Sequence, residues 1–272
     1  MRPVLHPLFK KLTDGVSEFS FANIYLFRAT HGYRVSALPG GLILITGEDK
    51  GRPFFMLPFG FPDERLLLEL FTRFSSMKAV SGEKAAMLAE QGYSVTEDRD
   101  NFDYLYSREE MVELSGRKFH RKKNLVNLFT GTYNYEGRPL TMEYRKDSLG
   151  VLEEWRAAHM EENDYEAAKE ALLLFEEIEL CGGIYFVEGR PAAYILGEEL
   201  TPEMFVVHFE KGVGEFKGLM QFVNRSFASI LPVKYNIINR EQDLGNAGLR
   251  QSKESYRPIG FVKKYRAHIK KD

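Results

Sequence analysis

At 272 residues and a formal net charge of -2, the chain is long enough for two cores and carries no overall field toward a polyanion, so contact with nucleic acid or membrane has to come from a local patch. Hydrophobic residues at 44% and charged residues at 28% are the proportions of an ordinary globular protein. The single cysteine, Cys181, excludes an internal disulfide and a thiolate metal cage, and the 6 histidines show no metal-ligand spacing. Cys181 itself, beside Gly182 and Gly183, reads as a small buried residue. The N-terminal MRPVLHPLFKKL has neither a long apolar core nor a small-residue cleavage site, and no run of about eighteen apolar residues occurs. The expectation is a cytoplasmic protein with no integral membrane segment and no metal.

In chain order, GYRVSALPGGLILI and RPFFMLPFG read as strands, Asp63–Phe74 and Gly82–Gln91 as helices, and Asp103–Ser107 as a short strand. Gly116–Thr130 reads as an amphipathic helix, with Phe119, Val126 and Phe129 on one side and Arg117, Lys118, Arg121 and Lys122 around the rest. Those four cations either lay their stems along a solvated face or form a phosphate-facing patch. Leu149, Leu152 and Trp155 place a helix over 148–160, and Ala168, Ala171, Leu172, Phe175 and Ile178 place another over 164–179. Strands follow around Ile184–Val187, Ala192–Gly197 and Phe205–Glu210, then a helix from Gly218 to Ile230 and a strand over 235–239. A helix with Asp243 or Asn246 as cap and Pro258 as stop precedes a last strand over 259–268. Two helices, three antiparallel strands, helix, strand, helix, strand is the order of the acyltransferase fold of Gcn5-related N-acetyltransferases (GNAT).

Two stretches match each other, Gly40–Gly60 and Gly182–Gly197: each has a double glycine, a strand, a turn holding Gly-Arg-Pro and a second strand. Their offset is close to half the chain. The match fits two related halves, each built on the same β-meander. Gly-Arg-Pro recurs at Gly137–Pro139, where it reads as a generic turn.

The densest chemistry follows the strand at 235–239, where Asn239, Arg240, Glu241 and Asp243 come at once. A strand-to-helix loop needs only a turn and a cap, and ligands of α/β sheets bind beyond the carboxyl ends of strands. Alternation along Phe205–Lys211 puts Val206, His208 and Glu210 on one face and Val207, Phe209 and Lys211 on the other. Transfer to an amine needs a group to take the ammonium proton. Glu210 is thus the expected general base or amine-binding anion, with His208 and Lys211 as further catalytic candidates. The structural alternatives are a Glu210–Arg240 or Glu210–Lys211 pair closing a gap between splayed strands, and His208 as a satisfied core histidine. Asn224, Arg240, Glu241, Arg250, Lys253 and Tyr256 make up the expected substrate-binding set. Asp243 reads as a helix cap, and an i,i+4 pair with Glu254 is the alternative for Arg250. The loop from Glu210 to Gly218 holds Gly212 and Gly214 where an acyl-CoA-dependent member of this fold binds pyrophosphate on backbone N–H groups. Glu215 puts negative charge there, which tilts the reading from acyl-CoA toward aminoacyl-tRNA or another donor.

Longer motifs, DNFDYLYS, LSGRKFHRKKNLVNLF, VHFEKG, the helix with Asn224-Arg225 and NREQDLGNAGLRQSKESYRP, resemble those of bacterial proteins of the phosphatidylglycerol lysyltransferase C-terminal domain family over nearly the whole chain. The resemblance implies the class α/β (α+β), with two tandem GNAT-like domains, 1–140 and 141–272, each a mixed, mostly antiparallel sheet flanked by helices, and the site in the second. These are similar to the domains of Fem-type peptidoglycan aminoacyltransferases and lysyl-phosphatidylglycerol synthase, which pass an aminoacyl group from a charged tRNA to an amine or a lipid hydroxyl. That synthase carries an integral-membrane flippase ahead of this domain, a kind of segment this sequence does not contain. The expected function is a soluble acyl- or aminoacyl-transferase with aminoacyl-tRNA as donor, acyl-CoA as the alternative donor, and a small molecule, peptide or lipid headgroup as acceptor. Arg117, Lys118, Arg121, Lys122, Gly212 and Gly214 would hold the donor's phosphates. The rival class is a non-catalytic protein that keeps a pocket for a small molecule or a peptide.

Overall fold

The computed structural model describes residues 2–159 and 164–270. Helices α1 (Arg2–Phe9), α2 (Phe21–Leu26) and α3 (Arg28–His31) precede β1 (Arg34–Ala37), β2 (Ile43–Asp49), β3 (Arg52–Met56), α4 (Glu64–Arg73), β4 (Ser76–Val80), α5 (Gly82–Glu90) and β5 (Ser94–Glu97). Then come β6 (Asp103–Ser107), α6 (Arg108–Glu113), α7 (His120–Thr132), β7 (Tyr135–Pro139), α8 (Arg145–Ala158), α9 (Tyr165–Leu174) and β8 (Cys181–Val187). The chain ends with β9 (Arg190–Thr201), β10 (Met204–Gly212), α10 (Leu219–Ile230), β11 (Ile237–Asn239), α11 (Ala247–Glu254), β12 (Gly260–Val262) and β13 (Tyr265–His268).

The strands form two sheets, ordered β1-β2-β3-β4-β13-β5 and β12-β6-β11-β10-β9-β8-β7. β3 pairs with β4 in parallel, and β10 with β11. The pairs β1–β2, β2–β3, β4–β13 and β13–β5 are antiparallel, as are β6–β11, β10–β9, β9–β8 and β8–β7. Each sheet therefore contains a hairpin followed by a helix and a parallel strand, β2-β3-α4-β4 in one and β9-β10-α10-β11 in the other. This is the expected class, two tandem GNAT-like folds with mixed, mostly antiparallel sheets flanked by helices.

The topology corrects the repeat drawn from Gly-Arg-Pro. By connection β2–β3 corresponds to β9–β10, whereas the sequence match set β2–β3 against β8–β9. What the matched hairpins share is a turn: Lys50 and Gly51 have φ of 50° and 76°, Glu188 and Gly189 of 50° and 77°. Two successive positive φ values match the right-handed twist of the flanking strands. The third Gly-Arg-Pro lies inside β7 and makes no turn. Cys181 is exposed at the first position of β8, not buried.

Two compact units divide the chain, one of Met1–Tyr104, Gln242–Arg250 and Phe261–Asp272, the other of Leu105–Glu241 and Gln251–Gly260. The first unit's long segment stops at Tyr104 because β6 and β7 pair in the second sheet, while the tail, which holds two strands where one was expected over 259–268, returns β13 to the first. β13 inserts between β4 and β5 in the first sheet. Just before it, the fully buried Lys264 ammonium donates to Asp103 Oδ1 at 2.7 Å and also to Glu18, anchoring the tail within the first unit.

In the second unit α8 buries Val151, Leu152 and Trp155, and α10 buries Leu219, Phe222, Val223 and Phe227. Phe129 of α7 stacks on Phe222 with centroids 4.8 Å apart. Each such side chain contributes roughly 1.5–3 kcal/mol on burial, so α7 and α10 hold together firmly enough to frame a site.

Candidate active site

β10 and β11 pair only through Met204–Val206 and Ile237–Asn239. Beyond that point β10 stays with β9 as far as Gly212, while the other chain turns away. The turn is set by Glu241, whose φ is 53° and whose N–H donates to Asn239 Oδ1 at 2.8 Å. A gap opens between the strands, and Arg240 and Glu210 bridge it. Arg240 Nη2 donates to both Glu210 oxygens at 2.8 Å each, and Asn224 Nδ2, from α10, donates to Glu210 Oε1 at 2.8 Å. The guanidinium lies 5.6 Å from the Tyr106 ring centroid and 4.9 Å from that of Tyr256. Burial, the largest influence, opposes its charge, but Glu210 together with the Tyr106 and Tyr256 phenols raises its pKa. Its other terminal nitrogen, Nη1, is buried with no hydrogen-bond partner among the described residues. Burial pushes the Tyr256 phenol up to about 12 against the lowering effect of Arg240 and of a hydrogen bond from Gln221.

Glu210 is thus placed in the bridging pair, with both oxygens occupied, and not as an open general base. His208 is placed in a buried triad: Nε2 lies 3.0 Å from Glu198 Oε1 and Nδ1 2.9 Å from Glu241 Oε1. Burial alone would lower the imidazole's pKa, yet the two carboxylates raise it to about 10. An imidazolium with both nitrogens engaged takes no proton, so this geometry makes His208 a clamp joining β9, β10 and the loop after β11. Glu241 supplies one jaw, not an open carboxylate. Lys253 is buried too, and its ammonium donates to the carbonyls of Arg240 and Glu241. It supplies donors to the two carbonyls of that turn.

Lys211 and Glu210 diverge. Lys211 Nζ pairs with Asp164 Oδ2 at 2.6 Å and sits 3.7 Å above the Trp155 ring. Asp164 Oδ1 is buried without a partner among the described residues. Arg250 belongs to the first unit, where it pairs with Asp243 at 2.8 Å and Asp100 at 2.7 Å instead of Glu254. Asp243 also accepts from Arg99 at 3.0 Å and from the Tyr104 hydroxyl at 2.6 Å. Although burial opposes ionisation, those donors hold its carboxyl well below the usual range. It is the hub of a cluster, and the cap of α11 is Asn246, whose Oδ1 accepts from Leu249 N–H at 2.9 Å.

The basic segment starts with a 3-10 turn over Arg117–Phe119 before α7 begins at His120. Arg117, Lys118 and Arg121 are exposed, and Lys118 pairs with Glu110. Lys122 differs: it is half-buried with Nζ 3.9 Å above the Tyr256 ring, the ring that also carries Arg240. Burial, then Arg240 and Arg121, bring its pKa down to about 8 against a smaller pull from Glu210. In the glycine loop, Glu215 pairs with Arg190 at 3.2 Å, and Gly214 has open space beside it. Gly212 packs on Met220. Gly218, the N-cap of α10 with φ 92°, has the Leu125 carbonyl of α7 2.3 Å from where a Cβ would stand. The backbone of α7 therefore covers the start of α10.

The sequence reading brought together Glu210, Asn224, Arg240, Tyr256 and, in another role, Lys122. It missed Glu198, Tyr106 and Asp164. A double glutamate inside the apolar strand, at Glu198-Glu199, was the available signal for the first. Among the described residues no group of three or more His, Cys, Asp or Glu could hold a metal ion. None of their helices is long and apolar enough to cross a membrane.

The sequence matches the family model described as phosphatidylglycerol lysyltransferase, C-terminal, over residues 9–268. A curated relative, an uncharacterized protein of Mycoplasmoides gallisepticum, is 23% identical over 175 residues, or 60% of this chain and 54% of that protein. The chain thus spans about half the length of that relative. A solved structure of a conserved protein of unknown function from Bacteroides thetaiotaomicron is 29% identical with a TM-score of 0.89, covering 99% of this chain and 96% of the other. L-PGS from Bacillus licheniformis is 14% identical with a TM-score of 0.62 and 93% of each chain covered. FemX is 10% identical with a TM-score of 0.62, covering 99% of this chain and 96% of the other. At those last two identities the likeness is one of fold.

Proposed function

The chain belongs to the phosphatidylglycerol lysyltransferase C-terminal family, and we propose that its second unit transfers an aminoacyl group from aminoacyl-tRNA to an amine or hydroxyl acceptor in the gap where β10 and β11 part. The observation that carries this reading is the Arg240 guanidinium, with Nη2 committed to Glu210 and Nη1 buried and unpartnered. Leaving a buried donor unsatisfied costs about 1–3 kcal/mol, and such a group marks a place for a ligand oxygen. The carbonyl oxygen of an ester fits it. As that oxygen becomes an oxyanion during acyl transfer, one preorganised donor is worth about 2.7–4 kcal/mol.

Glu210 then acts as a positioning residue, holding Arg240 with the help of Asn224, while the His208 triad and Lys253 fix the turn from which Arg240 projects. Two observations favour an aminoacyl-tRNA donor over acyl-CoA. The α10 N-terminus is covered by α7, which leaves its N–H groups badly placed for pyrophosphate, and the exposed Arg117 and Arg121 offer contacts to a phosphate backbone. A small molecule, a peptide or a lipid headgroup remains the acceptor class.

The test is transfer of labelled amino acids from bulk charged bacterial tRNA to glycinamide, read for wild type and for Arg240→Met. Wild type should accelerate transfer and Arg240→Met should lose about 10²–10³ of the rate, with deacylated-tRNA binding changed less than about twofold. An equal rate in the variant contradicts the assignment of Arg240.

A further inference from the structure

Lys122 stands apart from the other cations of its segment. It is half-buried, and no carboxylate forms an ion pair with it among the described residues. Its ammonium rests on the Tyr256 ring beside Arg240. The charged and titratable groups around it are Arg240 from the loop after β11, Arg121 from its own helix, Glu210 from β10 and the Tyr256 phenol. Two guanidinium groups against one carboxylate, and that carboxylate already bonded to Arg240, favour the uncharged amine. A lysine kept only to attract phosphate gains nothing from such surroundings, since they weaken the charge it would use. Arg121, exposed one residue earlier, is better placed for that purpose.

Resting on the aminoacyl-transfer reading, we infer that Lys122 is the proton-transfer residue of the site, taking a proton from the acceptor and returning one to the leaving group. With an amine acceptor, neutral Nζ takes one proton from the ammonium, and the freed lone pair forms the new C–N bond at the ester carbonyl carbon. The oxygen of the tetrahedral intermediate meets Arg240 Nη1. The C–O bond to the tRNA ribose then breaks, the ribose oxygen receives the proton held by Lys122, and the surplus proton on the new amide nitrogen leaves to water. Glu210, with both oxygens bonded to Arg240, plays no part in these proton steps.

The experiment has two arms on the full-length protein. In the first, transfer from bulk charged tRNA to glycinamide is followed against pH for wild type, Lys122→Met and Lys122→Arg. Wild-type kcat, read at saturating glycinamide so that the free acceptor's own titration drops out, should rise with pH through a midpoint near 8, as a base must be neutral to act. Both variants should lose about 10²–10⁴ in kcat and lose that limb, with KM for tRNA nearly unchanged. Restoration of the rate by Lys122→Arg, which keeps the charge but holds its proton, overturns the proposal in favour of phosphate binding. An unchanged pH profile in Lys122→Met overturns it as well, and absence of turnover in wild type overturns the transfer reading on which it rests. In the second arm, competitive acetylation by acetic anhydride, read by mass spectrometry across pH, titrates Lys122 directly without turnover. A midpoint near 8, well below the ordinary lysine value, is expected. A midpoint at the ordinary lysine value of about 10.4 removes the proton-transfer role whatever the state of the transfer assay.

Discussion

Arg240 donates to both oxygens of Glu210 from a single nitrogen, Nη2, at 2.8 Å each, instead of offering its two terminal nitrogens side by side. A pair built only for stability would use the fork-to-fork geometry, which makes two parallel bonds. The arrangement here leaves Nη1 over. Breaking a buried pair by removing one charge costs roughly 3–5 kcal/mol, whereas replacing both partners with apolar or neutral groups is often close to neutral. Glu210→Gln is therefore expected to lower stability in a denaturant titration, and Glu210→Gln with Arg240→Met to recover most of the loss. Transfer should stay abolished in the double variant. If the double variant regains activity along with stability, the pair is structural.

His208 provides a prediction in pH. Its folded pKa is raised to about 10, above the ordinary histidine value of about 6.5. The folded state therefore binds more protons between those values, so the contribution is complete below about pH 6.5 and is lost as pH rises toward 10. Unfolding free energy should fall across that window at up to about 1.4 kcal/mol per pH unit. In His208→Gln the slope should flatten, and an unchanged slope would show that the triad does not hold its proton.

Asp243 works in the opposite direction. Its carboxyl is held low by Arg250, Tyr104 and the Gly245 N–H against the effect of burial, so its stabilisation is present above the ordinary aspartate pKa and is lost as pH falls. Asp243→Asn should lower the melting temperature by several degrees at neutral pH and reduce the acid sensitivity of unfolding. Because its partners Arg99, Arg250 and Tyr104 all lie in the first unit, transfer by the folded variant should stay within about twofold of wild type. A large loss of transfer at temperatures where the variant is fully folded would give this cluster a role in function.

Arg121 is expected to act through phosphate. Arg121→Ala should weaken binding of charged and deacylated tRNA alike and reduce the slope of log K against log salt by roughly 0.7–0.9, the value for one contact. Unchanged affinity and slope would assign the residue to a solvated face.

How much of this was legible in the sequence depended on local patterning. The fold class was readable because each element from Leu149 onward carries its own period, and the turn after β11 because charges crowd behind an apolar strand. The face assignments on β10 failed for one reason. Phe205 packs on Phe227 of α10, and Glu210 bonds to Asn224 of the same helix, although five residues apart in a strand should point to opposite faces. The register slips between Val207 and Phe209, a bulge that reverses the alternation beyond it. No residue type announces such a bulge, and so Val206 and Glu210 were read as sharing a face; Lys211 stays opposite Glu210, as the alternation had it, and faces Trp155. β4 was missed because SMKAV follows α4 at once and contains a lysine, Lys78, which in the fold is buried and paired with Asp49. β5 and β13 depend on each other across most of the chain, a pairing that local reading does not reach.

The most direct test of the account is filter binding of bulk bacterial tRNA, charged against deacylated, to wild type and to Arg240→Met across a salt series. The account predicts that wild type binds the charged form more tightly, with a salt slope corresponding to roughly two to four phosphate contacts, and that Arg240→Met keeps the slope but loses the preference. Equal binding of both forms by wild type, or no binding, would contradict it.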